Sequence, residues 1–162
     1  MTALPEMLYE ENVSVVVLRK DEILFAALVG LRRAISKIGT SENNYVGNKD
    51  YGWATDIESA CAEMAFAKDQ GLYWDGSVGT YGKPDVASFQ VRHTEREDGK
   101  LILRPNKTKP NEDYVLVTGA WGRYRVRGWI RGGDGMTDQF KFKGYNGMPD
   151  CWMVPQKSLN PL

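Results

Sequence analysis

The sequence predicts an α/β domain with a mixed central sheet flanked by helices. Three observations carry this. Two stretches in the first half, 20–37 and 54–70, repeat apolar residues at three- and four-residue steps. Four runs in the second half, 87–94, 100–104, 114–118 and 123–130, are rich in Val, Ile, Leu, Tyr and Phe. An Asp98-Gly99 pair separates the first two of these runs, which is a strong hairpin signal. With 162 residues, 42% of them hydrophobic and 26% charged, one domain with its own core is the expected organisation.

Residues 13–18 (Val-Ser-Val-Val-Val-Leu) read as a short strand or extended arm. In the first helix, Phe25, Leu28, Val29, Arg32 and Ile35 mark the repeating face, and Gly39 stops it. Arg32 and Arg33 near its end suit the negative pole of the helix dipole. Residues 39–52 hold Gly, Asn and Ser without periodicity and read as a long loop, functional or mobile. The second helix opens on Thr55 with Glu58 three residues on, a capping-box signature, and closes at Gly71. Ile57, Cys61, Met64 and Lys68 repeat at helical spacing along it. The polar loop 105–113 and the Gly119–Gly122 turn separate the later strands. In the last long run Arg123, Arg125 and Arg127 alternate with Tyr124, Val126 and Gly128, so one face is basic and the other apolar. Residues 131–150 read as an irregular excursion, 151–154 as a short final strand, and the rest as a tail. The division is thus an arm and helix over 1–40, a core over 54–130 and an irregular C-terminal part over 131–162.

Composition excludes several classes. No run approaches the roughly 18 apolar residues of a membrane span, and no targeting signal is read, so no membrane partner and a cytoplasmic location are expected. Two cysteines without a CxxC and a single histidine, His93, exclude a Cys/His zinc cluster of the usual spacing. Gly76–Gly79 and Gly132–Gly135 lack the Lys-Ser/Thr end of a phosphate loop. Asp134 and Asp138 fit turn chemistry better than a calcium loop.

Net charge is zero but unevenly spread: residues 41–85 hold eight acids against three bases, and 90–131 hold ten bases against five acids. Two readings stand open. The basic part is a phosphate-binding surface beside a metal site, or it is a set of solvated strand faces.

The chemistry-bearing stretch is Pro84-Asp85-Val86-Ala87-Ser88-Phe89-Gln90-Val91-Arg92. In a strand, Gln90 and Arg92 share one face, and Phe89, Val91 and His93 the other. Asp85 at the strand entrance is expected to point into the space of Gln90 and Arg92. A carboxylate, an amide oxygen and a fixed cation at one point are how a hard metal ion is held beside a phosphate. On the second helix Glu63 has only small or apolar neighbours three and four residues away (Ser59, Ala60, Phe66, Ala67) and no basic partner there. It is either a bound carboxylate or a glutamate on the open face.

A helix with a Glu, then Pro-Asp, then a strand with a polar-X-basic triplet resembles the PD-(D/E)XK nuclease-like superfamily, with Gln-Val-Arg where that family usually shows Glu-X-Lys. The resemblance spans residues 54–130. It implies a restriction-endonuclease-like core and a metal-dependent nuclease acting on nucleic-acid phosphodiesters. It implies Glu63, Asp85 and Gln90 as ligands of Mg or Mn, with Arg92 in the place of the Lys. The expected partner is nucleic acid, DNA ahead of RNA, with Arg104, Arg123, Arg125 and Arg127 as its expected contacts. The chain as a whole is similar to short phage proteins, acting in a host cytoplasm. Gln90 brings one charge fewer to the metal, and Arg92 stays protonated and cannot act as a general base. The alternative is therefore a non-catalytic nucleic-acid-binding or phage accessory protein that keeps the nuclease fold.

Overall fold

The computed structural model describes residues 13–39, 52–80 and 82–162. Helix α1 (Lys20–Ser36) starts where Glu22 accepts the backbone N–H of Arg19 at 2.7 Å, and Asp21 and Glu22 place negative charge at the dipole's positive end. It buries Ala26, Val29 and Gly30, whereas Phe25, Leu28 and Ile35 are about half exposed. The stripe marked by the sequence spacing is thus largely not the buried one. The buried face is made of small residues, which let α1 cross close over α2 (Gly52–Gln70). A Cβ added at Gly30 would sit 2.5 Å from the Asp56 carbonyl oxygen and the Ile57 Cα. Gly30→Ala is therefore expected to lower stability by about 1–3 kcal/mol, although the same change in an open helix gains about 1 kcal/mol. A urea midpoint that rises in this variant would show that the crossing yields.

α2 begins at Gly52, so Thr55 lies inside the helix and the capping box read at Thr55 and Glu58 does not form. Glu58 instead reaches across to the sheet, where it accepts the Tyr124 hydroxyl and the Trp121 backbone N–H. The loop read over 39–52 lies, its two end residues apart, outside the described residues.

The first sheet is mixed. Strand β2 (Phe89–Thr94) runs parallel to β4 (Asp113–Ala120), which pairs antiparallel with β5 (Arg123–Arg131). β1 (Val16–Val17) closes the far edge, giving the order β1-β5-β4-β2. The β4–β5 turn has positive φ at Trp121 (56°) and Gly122 (77°), the twist that a two-residue hairpin favours. Near its middle the register jumps: Leu116 pairs Gly128, but Val117 pairs Val126. Arg127 is the extra residue of a bulge. The jump breaks the alternation read from the sequence. Tyr124 and Val126 face the helices, Gly128 does not, and Trp129 returns to that side against Phe89 at 6.2 Å between ring centroids.

The second sheet has the order β3-β7-β6, from β3 (Leu101–Leu103), β7 (Cys151–Val154) and β6 (Lys141–Phe142). The hairpin expected at Asp98-Gly99 does not form, because β2 and β3 belong to different sheets. Gly99 lacks the positive φ of such a turn, and it is buried with Thr94 where a Cβ would stand. Gln156 donates to the carbonyls of Glu97 and Gly99, holding the connection between the sheets. The C-terminal part read as irregular thus supplies two of the three strands here, the central one included. Among the described residues no helix is long and apolar enough to cross a membrane.

Two cores result. α2 packs Ala62, Ala65 and Phe66 on the face of the first sheet that carries Val91, Val115 and Val117. The other face carries Tyr114, Leu116 and Ile130 and meets Leu101, Leu103 and Val154 of the second sheet. β2 is the free edge of the first sheet, and a cleft opens on either side of it.

Candidate functional site

On the helix side of β2, Glu63 is buried at 5% exposure and is not open to solvent. Its partner comes from α1, not from its own helix. Arg33 donates from Nη1 to Oε1 at 2.7 Å and from Nη2 to Oε2 at 2.9 Å, a two-pronged pair. Trp74 Nε1 donates to Oε2 at 2.9 Å, and Arg33 Nε holds the Ser77 carbonyl at 3.0 Å. Burial pushes the Glu63 carboxyl above its ordinary pKa and the charge of Asp85 adds to this, against the pull of Arg33 and Trp74. Asp85 is likewise raised, chiefly by burial, although the Val91 N–H donates to its Oδ2 at 2.8 Å.

Glu63, Asp85 and Arg92 line one cleft of about 400 Å³, together with Arg33, Lys37 and Lys83. Gln90 does not join them. It pairs in register with Tyr114, so its side chain stands on the face away from α2. There its amide lies 3.3 Å from the Lys83 carbonyl and 3.4 Å from Glu112. Strand alternation holds for Gln90 and Arg92, but the face they share is not the one Glu63 approaches. Arg92 lies over the Tyr114 ring at 5.0 Å and reaches round the strand edge to 3.9 Å from Asp85. His93, read as lying opposite the site, is on the Glu63 side, with Nε2 2.7 Å from the Gly119 carbonyl.

The metal expected from the resemblance finds no donor set here. Both Glu63 oxygens are held by Arg33 and Trp74, and the Gln90 amide is turned away. Among the described residues no three His, Cys, Asp or Glu side chains gather as a metal site. The residues present do not fit Mg or Mn in this arrangement.

Between the two sheets lies a larger cleft of about 670 Å³. Arg92, Arg96, Lys100, Arg104 and Lys107 line it, over a floor that includes Ile102, Leu116 and Met153. Its one lining acid, Asp98, is paired with Arg96 at 3.1 Å. Lys100, Arg104 and Lys107 form no side-chain ion pair or hydrogen bond among the described residues. Of the four arginines read as nucleic-acid contacts, Arg104 is in this cleft. Arg123 is exposed at the start of β5. Arg125 and Arg127 are both bonded to Glu97, and Arg127 also to Thr118 at 2.7 Å, so the two share one counter-charge within the fold. Lys100 and Lys107 carry no individual signal in the sequence. The charge excess over 90–131 covers them, but nothing local separates them from solvated lysines.

Comparison with family models, with curated proteins and with solved structures finds no match.

Proposed function

We propose that this chain is a nucleic-acid-binding protein that holds a phosphodiester backbone in the basic cleft and does not cut it. One observation carries the reading: Lys100, Arg104 and Lys107 line one concave surface and form no ion pair among the described residues. Like charges are gathered at a cost, which bound phosphates offset. Arg92 and His93 line both clefts, so the basic surface continues over the β2 edge, which suits an extended chain better than a single small anion. Ile102, 37% exposed, gives bases an apolar surface to pack on at the cleft floor. The mixed sheet with α2 on one face is compatible with a retained restriction-endonuclease-like core, and the non-catalytic reading needs only its surface.

The test is binding of a fluorescent single-stranded DNA oligonucleotide, with RNA of the same sequence alongside, across a salt series. Affinity is expected to fall steeply with salt. In the Lys100→Glu/Arg104→Glu/Lys107→Glu variant the slope of log affinity against log salt flattens by about 0.7 for each phosphate that is no longer neutralised. Binding indifferent to salt, or unchanged in the variant, would sink the proposal.

A second reading, phosphodiester cleavage, is favoured by the gathering of Glu63, Asp85 and Arg92 in the adjoining cleft. It requires Arg33 to leave Glu63. Cutting of DNA or RNA by the wild type in Mg²⁺ or Mn²⁺, abolished by Asp85→Ala, would support it. Intact substrate throughout would remove it.

A further inference from the structure

Helix α1 is apolar on two opposite sides. The side toward α2 carries Ala26, Val29 and Gly30. The other side carries Leu24, Leu28, Leu31 and Ile35, and Ile38 follows in the turn just past the helix end, at successive steps of four, three, four and three residues. This is the spacing of a heptad seam, in which every core position faces a partner helix. At roughly 100° per residue the seam lies about half a turn from the buried face. Leu24 is 62% exposed, Leu28 51%, Ile35 50% and Ile38 61%, and Leu31 is partly exposed. A lone helix face needs no such spacing. A helix with this much apolar surface on both sides is normally covered on both.

We infer that this face is the interface of a homodimer, in which α1 of a second copy packs antiparallel along it. Three features support a copy of the same chain. A seam with one repeated pattern is self-complementary across a two-fold axis, as a closed dimer requires. The residues between seam positions on one flank are Ala27 and Ala34, small enough for close approach of an identical helix. The exposed seam, with Phe25 beside it, presents on the order of 500 Å² of apolar surface, so two copies bury on the order of 1,000 Å², about what a specific interface needs.

The helix dipole sets the direction. Asp21 and Glu22 are already paired with Arg19 and Lys68 within one copy, while Arg32 near the helix end is exposed and bonded to no side chain among the described residues. Parallel pairing would put like dipole poles together, whereas antiparallel pairing sets them opposite. The register that keeps the seam continuous sets Leu28 against the second copy's Leu31, and Ile35 against its Leu24. Arg32 then lies near the second copy's Phe25. This inference is independent of the nucleic-acid reading, since neither cleft uses the seam.

The test is the mass of the full chain in solution by light scattering or sedimentation. The wild type is expected as a dimer at micromolar concentration. Leu28→Glu/Ile35→Glu is expected to be a monomer with unchanged circular dichroism, because both positions are half exposed and the inner core does not use them. A wild type that stays monomeric at high micromolar concentration, or a folded double variant that stays dimeric, would overturn the proposal. Cysteine cross-linking checks the direction, the native cysteines being buried. Leu28→Cys/Leu31→Cys is expected to form a covalent dimer under oxidation. Leu24→Cys alone is not, since its two copies stand about eleven residues of helix apart, near 16 Å. A Leu24→Cys dimer with none from the double variant would overturn the antiparallel arrangement.

Discussion

Arg33→Met is expected to destabilise the protein by about 3 kcal/mol at neutral pH, a large share of a domain's total stability. Removing the guanidinium strands the buried Glu63 carboxylate with Trp74 as its remaining donor. Breaking a buried pair from one side costs about 3–5 kcal/mol, and the lower end applies because the Arg33 side chain keeps 19% exposure. The loss depends on pH in a definite direction. The folded carboxyl of Glu63 is raised above its ordinary value by burial and by Asp85. A raised acid contributes stability that is full below its unfolded pKa, near 4.3, and lost as pH rises through its folded pKa. Taking Arg33 away raises the folded pKa further. The deficit of the variant is therefore smallest in mild acid and grows toward neutral pH. Arg33→Met/Glu63→Gln, which leaves no charge to strand, is expected to recover most of the loss. Urea unfolding from pH 5 to pH 8 measures both effects. A deficit that is flat across that range, or a double variant no more stable than Arg33→Met, would show that the pair is not electrostatically isolated.

Phe66→Ala is expected to cost about 3–5 kcal/mol, the range for emptying an aromatic site in a close-packed core. Phe66 is fully buried between α2 and the sheet and meets Phe89 edge-on at 5.3 Å between ring centroids. Its neighbours Ala62, Ala65 and Ala67 are already small and cannot close the space. Trp121→Ala removes a larger ring but is expected to stay within about 0.5 kcal/mol, because Trp121 is 89% exposed at the hairpin tip. Midpoints that fall equally in the two variants would contradict this layering of helix on sheet. A slope that changes along with the midpoint would mean a change in the unfolded state.

Local periodicity is enough to place both helices and the main strands, and the 20–37 reading meets α1 to within a residue. Period and composition are local properties, and they fix where an element lies, although in α1 the stripe they mark is largely not the buried face. The strands of the first sheet are legible for the same reason, though their pairing is not a local property. The second sheet is not, since β3 and β7 are short and meet across some fifty residues. A strand's partner is chosen by packing, not by its own pattern. The Asp98-Gly99 signal fails on that point: the dipeptide permits a hairpin, but burial of Gly99 against Thr94 decides its backbone.

The site shows the same division. By itself the sequence determined that Glu63 sits on a helix without a local counter-ion, that Gln90 and Arg92 share a strand face, and that positive charge is concentrated after residue 90. Which side of β2 faces α2 was decided only in the tertiary structure, and it separates Gln90 from Glu63. So was the partner of Glu63, because Arg33 is thirty residues away and reaches it only where Gly30 lets the helices touch. The same holds for the basic cleft. Arg125 and Arg127 look free by alternation but close on Glu97, while Lys100 and Lys107 stay unpaired among the described residues. Charge type is written in the sequence. Whether a charge is spent inside the fold depends on distances of a few ångströms between residues that the chain brings together only when it folds.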